Sequence, residues 1–385
     1  MDKIMPRILA FLVVITFARL AYCQNPTDSL ENVLKKAKGE LKVKTLNELF
    51  KATLNSDPIR AAGFTKEALT LAEEIDDPKG MAASYNNLGV SYRNQGALDK
   101  ALEYYYKSLK IYEKLPNKEG IASTKNNIGT IYSYKKDYGQ ALKYFEESYK
   151  LFSEIGDPEK IIGAMNNLGN LHSDLQLHEQ ALRYFTEAYQ LSEKNKKLFP
   201  DALNNIGNLY FRQGNNTKAI EYYQKALELA MSTNDKLLSI HIKANIGEVY
   251  GKMGQSGKAQ SCLEEALAQS EELQTHIYEP QILRNLASNY ASSGKMKEAY
   301  ESLKSYTAAL EKIYGEESSR KIAQMELALN VLAKEKEIEA LKLNEEITRL
   351  KLKNITTIIT AVVLGLAAFL MGFNIYFTSR KSRRI

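Results

Sequence analysis

The sequence predicts an all-α protein: a solenoid of stacked helix pairs, then a coiled-coil helix and a single transmembrane helix. Three observations predict it. A short string of asparagines and a small residue returns about every 40 residues through the body. The 8 prolines, 21 glycines and absent tryptophan fit long helices better than a turn-rich β fold. Residues 355–377 carry no charge and run into a basic tail. At 44% hydrophobic and 25% charged, the chain is neither wholly disordered nor a polytopic membrane protein.

The first element is a leader. Residues 1–23 run from the basic Lys3 and Arg7 through apolar Ile8–Ala18 to Ala21-Tyr22-Cys23, the layout of a signal peptide cleaved before Gln24. Lipid attachment at Cys23 is the alternative, which the bulky Tyr22 opposes. After cleavage Cys262 is the only cysteine, so an intrachain disulfide is excluded. Charge follows the ends of the chain. Asp2, Lys3, Arg7 and Arg19 place +2 in the first 23 residues, and Arg380, Lys381, Arg383 and Arg384 place +4 in the last eight. The formal charge is +6, so the stretch between is neutral and no nucleic acid partner is expected.

Residues 24–41 are assigned to an N-terminal helical cap, and 42–315 to about seven 40-residue repeats. NNLG at Asn86, NNIG at Asn126, NNLG at Asn166, NNIG at Asn204, ANIG at Ala244 and RNLA at Arg284 stand 40, 40, 38, 40 and 40 residues apart. Twelve residues after each small fourth position comes Ala101, Ala141, Ala181, Ala219, Ala259 or Ala299. Four further on stands Tyr105, Phe145, Phe185, Tyr223, Leu263 or Leu303. A ring follows each small residue by three: Tyr92, Tyr132, His172, Tyr210, Tyr250, Tyr290. These offsets fit two antiparallel helices per unit that cross closely at the small residues. Pro78, Pro116, Pro158, Pro200 and Pro280 punctuate the units, several beside an Asp or Asn able to cap the next helix. Gly96, Gly214, Gly254 and Gly294 mark turns inside units. A weaker first unit holds Leu46, Leu49, Phe50, Ala61 and Ala68. No unit this small buries its own apolar face, so neighbours must stack.

This pattern resembles the tetratricopeptide repeat (TPR) over residues 42–315, with a unit longer than the family's usual one and without its early tryptophan. The resemblance implies a right-handed superhelical solenoid whose concave wall, lined by first helices, holds a peptide or protein segment. Asparagine precedes the Leu or Ile of the string in all six units, as Asn87, Asn127, Asn167, Asn205, Asn245 and Asn285. Asn86, Asn126, Asn166 and Asn204 precede it again in four. A side-chain amide carries donor and acceptor together and brackets an extended backbone whatever its sequence. The resemblance places these asparagines in the groove against bound backbone. The competing reading is that they bond neighbouring helices and only fix the stacking. Further inward positions are mixed in charge (Arg93, Tyr134, Asp174, Phe211, Arg212, Glu248, Lys252), which disfavours a highly charged ligand. His172, His178, His241 and His276 lack metal-ligand spacing, and neither a phosphate-cradling loop nor a nucleophile motif occurs. Neither enzymatic activity nor a cofactor is expected.

Residues 316–354 form the juxtamembrane helix, with a heptad at Ile322, Met325, Leu329 and Leu332 that resumes at Leu343, Ile347 and Leu350. The offset of seven plus four is a stutter, and the pattern supports a coiled-coil homodimer. Residues 355–377 give about 34 Å of helix, enough to cross the bilayer. The basic tail 378–385 places the body outside the cytoplasm. This order resembles a group of bacterial membrane sensors, whose output domain is absent before Ile385. The expectation is therefore a membrane-anchored scaffold, the sensor part of a system that signals through a separate protein. A structural adaptor in an envelope assembly is the alternative.

Overall fold

The structure, a computed structural model, describes residues 26–196, 199–314, 338–339, 341–357, 359, 364–366 and 370–372. The leader 1–23, the tail 378–385, the heptad from Ile322 to Leu332 and most of the predicted span lie outside the described residues. The chain divides into two compact units, Met1–Ser319 and Arg320–Ile385. Every described residue of the second unit is helical, and Leu343, Ile347 and Leu350 are exposed. Among the described residues no helix is long and apolar enough to cross a membrane.

The described part of the first unit is built from helices and turns. A short helix α1 (Pro26–Leu34) precedes seven helix pairs. They are α2/α3 (Gly39–Thr53, Pro58–Glu74), α4/α5 (Pro78–Asn94, Leu98–Tyr112), α6/α7 (Lys118–Tyr134, Tyr138–Ile155) and α8/α9 (Pro158–Asp174, His178–Lys194). Next come α10/α11 (Asp201–Arg212, Asn216–Ser232), α12/α13 (Lys236–Lys252, Ser256–Glu272) and α14/α15 (Glu279–Ser292, Met296–Tyr314). Each first helix packs on its own second helix and on the second helix of the preceding pair. The result is an all-helical solenoid.

Local chemistry sets the ends of these helices. Asp77 accepts from the Gly80 N–H at 2.9 Å and Asn117 from that of Gly120 at 2.8 Å, satisfying donors that a helix start leaves open. Pro58, Pro78 and Pro158 sit in the first turn, where a missing N–H costs nothing. Inside the pairs the chain reverses through a left-handed residue: Gly96 at φ 71°, Gly214 at 75° and Gly254 at 72°. In the third and fourth pairs Lys136 (φ 59°) and Gln176 (φ 61°) take that conformation without glycine's freedom.

The small residues of the repeated string are where helices cross. A Cβ on Gly89 would fall 2.4 Å from the Tyr105 ring, one on Gly169 2.5 Å from Phe185, and one on Gly207 2.6 Å from Tyr223. Each ring then fills the space to the following unit: Tyr105 packs with Ile128 and Ile131, and Phe145 with Leu168 and Leu171. Leu303, expected in the same role, is instead 49% exposed, because no further first helix follows α15 among the described residues. The stack also meets its own beginning. Helix α15 packs against α3, and the Thr275 hydroxyl, between α13 and α14, donates to the Asn55 carbonyl at 3.5 Å.

Candidate functional site

The predicted asparagines come together in a ladder that joins the first helices of successive units. Asn127 donates through Nδ2 to Asn86 Oδ1 at 3.0 Å, and Asn167 to Asn126 Oδ1 at 2.8 Å. Asn245 does the same to Asn204 Oδ1 at 3.0 Å. The second asparagine of one unit thus grips the first asparagine of the unit before. At the N-terminal end Asn87 donates to Asn47 at 2.8 Å, and Asn47 and Ser84 share a bond at 3.0 Å. Sequence reasoning missed Asn47, although it stands 40 residues before Asn87. At the other end Ala244 offers no acceptor, and Asn285 turns to Glu248 at 3.3 Å while Gln281 donates to Asn245 at 3.0 Å.

One rung is not made. Asn166 is 8% exposed and its Oδ1 has no hydrogen-bond partner among the described residues. The expected donor, Asn205, is half-buried and makes no side-chain hydrogen bond among them. This is the junction where the spacing falls to 38 residues. Helix α10 begins only three residues before Asn204, whereas α8 begins eight before Asn166. The shortened helix start coincides with the missed bond.

A side-chain amide has two donor hydrogens and two acceptor lone pairs, and a ladder bond uses one of these at each residue. Asn86, Asn126, Asn127, Asn167, Asn205 and Asn285 stay partly exposed, whereas Asn87, Asn166, Asn204 and Asn245 are buried. The face therefore holds the stack together and still presents amide groups to solvent.

The charged positions on these helices pair among themselves. Arg212 forms an ion pair with Asp174 of the preceding unit, and Arg93 donates to the neighbouring Asn94 at 3.2 Å. Tyr134 stands 61% exposed. The ring three residues after each small position is a clasp between the two helices of a unit. Tyr92 stacks on Tyr104 at 5.2 Å, Tyr132 on Tyr144 at 5.7 Å and Tyr210 on Tyr222 at 5.4 Å, while His172 meets Tyr184 at 5.2 Å. The partner rings, 12 residues downstream, were legible as a period but not as contacts. Lysines lie over several of them, Lys100 at 5.5 Å from Tyr92 and Lys218 at 4.9 Å from Tyr210. His241 stacks on Tyr278 at 4.8 Å, and burial lowers its pKa to about 4. Cys262 is a free, half-buried thiol whose pKa burial raises. Among the described residues no group of His, Cys, Asp and Glu is placed to hold a metal.

The geometry is that of a repeat protein, and the comparisons agree. No curated protein matches the chain. Among solved structures the chain is similar in fold to a Rap protein complexed with competence and sporulation factor (TM-score 0.57, 15% identity, 80% of this chain and 92% of that one). It is also similar to the Rap conjugation gene regulator of the plasmid pLS20 in complex with the Phr* peptide (TM-score 0.53, 20% identity, 71% and 74% covered). A third is aspartyl phosphate phosphatase F from Bacillus subtilis (TM-score 0.52, 16% identity, 81% and 82% covered). At these identities the likeness is one of fold. A tetratricopeptide repeat model matches residues 60–114, 80–154, 120–194 and 199–272, together more than half of the chain. The chain belongs to the tetratricopeptide repeat family.

Proposed function

We propose that this protein is a non-enzymatic TPR scaffold whose first-helix face binds a peptide or protein segment. The asparagine ladder carries the reading: amides with spare donors and acceptors recur at one-unit intervals along one face. Two structures of similar fold were solved with a bound factor or peptide, which supports the same class of ligand here. The neutral charge between the chain's ends favours a ligand without a strong net charge.

The remaining parts of the proposal rest on the sequence. The leader 1–23 sends the repeats out of the cytoplasm, residues 355–377 anchor them in the membrane, and 378–385 stay inside. Residues 316–354 pair two copies, and the assembly senses its ligand for a separate signalling partner. Peptide binding is tested by panning a library of random 12-residue peptides, displayed on phage, over the full-length protein. Selected peptides are expected to compete with one another and to lose affinity when Asn127 and Asn167 are replaced by Ala. Peptides insensitive to every ladder replacement would move the binding site elsewhere.

A further inference from the structure

The broken rung between α8 and α10 differs in kind from the others. Where a rung is made, a buried acceptor is satisfied by the next unit, as Asn126 is by Asn167 at 2.8 Å. At Asn166 the acceptor is as deeply buried, yet it lacks a partner among the described residues. Burying a carbonyl oxygen without a donor costs stability, so such an atom calls for a reason. Its neighbours supply one. Asn170, one turn along the same face, is exposed and makes no side-chain hydrogen bond among the described residues. A turn further, Asp174 and Arg212 tie the two helices together, so the gap has a fixed width there.

Resting on the peptide-binding reading above, we infer that this open rung is where a bound chain docks its backbone. A ligand N–H donates to Asn166 Oδ1, and a ligand carbonyl accepts from Asn205 Nδ2. The two bonds restore across the junction what the direct amide pair provides at the others. An extended chain advances about 6.6 Å in two residues and a helix about 5.4 Å per turn, so the next like-facing backbone group falls close to Asn170. The ligand chemistry implied is an unmodified secondary amide in an extended segment. A proline or N-methylated residue lacks that N–H and is refused at this one position.

The test combines stability with binding, on the full-length protein and on peptides selected from the random 12-residue phage library. Asn166→Leu removes an unsatisfied acceptor and Asn126→Leu removes a satisfied one. Asn166→Leu is expected to leave Tm unchanged or raise it, whereas Asn126→Leu lowers it by roughly 2–4 °C. Asn166→Leu and the half-buried Asn205→Ala should each weaken the selected peptides about tenfold. N-methylating the peptides residue by residue should reveal one position that matters in the wild type and not in Asn166→Leu. A Tm loss in Asn166→Leu equal to that in Asn126→Leu means the oxygen is already satisfied, by water or by a neighbour, and overturns the inference. Undiminished peptide binding by both variants overturns it too, while leaving the peptide-binding reading intact. If the library yields no binder to the wild type, that reading fails and the open rung falls with it.

Discussion

The ring of Phe185 occupies the space that a side chain on Gly169 would need: a Cβ there would lie 2.5 Å from Cε1 of the ring. Gly163 lies in the same helix, Pro158–Asp174, yet a Cβ on it would meet nothing within 4 Å. The two glycines therefore respond oppositely to one methyl group. Gly169→Ala should destabilise the solenoid by about 1–3 kcal/mol through overpacking. Gly163→Ala should stabilise it by about 0.5–1 kcal/mol, because alanine restricts the unfolded chain and favours helix. Thermal melting of the two single variants checks both signs.

Lys136 and Gln176 hold the left-handed turn that glycine holds in other pairs. A non-glycine residue there pays roughly 1 kcal/mol in backbone strain. Lys136→Gly and Gln176→Gly should each raise Tm, and together they should add, since the residues lie in different turns. Equal or lower Tm in both variants would show that the lysine and glutamine side chains stabilise their turns by other means.

The made rungs give a third prediction. Asn127→Ala leaves Asn86 Oδ1 without its donor, and Asn167→Ala does the same to Asn126. Each should cost about 1–3 kcal/mol, read as a lowered urea midpoint with helical circular dichroism retained in the folded baseline. Asn205→Ala, which breaks no bond seen among the described residues, should cost less than either.

His241 sets a pH dependence. Burial holds its pKa at about 4 in the folded protein against 6.5 as the model value, so between these the unfolded chain binds more protons. Its contribution is then fully present above pH 6.5 and is lost as pH falls towards 4. His241→Phe keeps a ring against Tyr278 and removes this titration. The stability difference between variant and wild type should therefore change between pH 7 and pH 4 by up to roughly 3 kcal/mol in favour of the variant. A difference independent of pH would place the imidazole in contact with water.

The proposed topology is checked by reporter fusions. Alkaline phosphatase, active only outside the cytoplasm, should be active when fused after Lys353 and inactive after Ile385. The reverse pattern would put the repeats inside.

What could be read in advance follows the range of the interactions. The glycine–ring contacts lie within one unit, so their period was visible in the spacing of Gly89 to Tyr105 and Gly207 to Tyr223. The ladder was visible as an Asn repeat, but which amide grips which depends on how one helix is offset against the next. That offset hid the pairing of Asn127 with Asn86, the role of Asn47 and the failure at Asn166. The contact of Thr275 with Asn55 lies further still from any local signal. It depends on the small rotation of each pair accumulated over the whole stack, and no short string encodes a sum of seven rotations.

The meeting of α15 with α3 has a consequence for how the molecule comes apart. A linear array of repeats usually frays from its ends, because a terminal repeat has one neighbour where an interior repeat has two. Here the last helix leans on the first pair, so each terminus guards the other and neither can peel away without first releasing its opposite. Melting one end exposes both. Amide exchange in α3 and α15 should therefore quicken together, coupling residues more than two hundred positions apart in the chain, and interior pairs should follow only after that joint release.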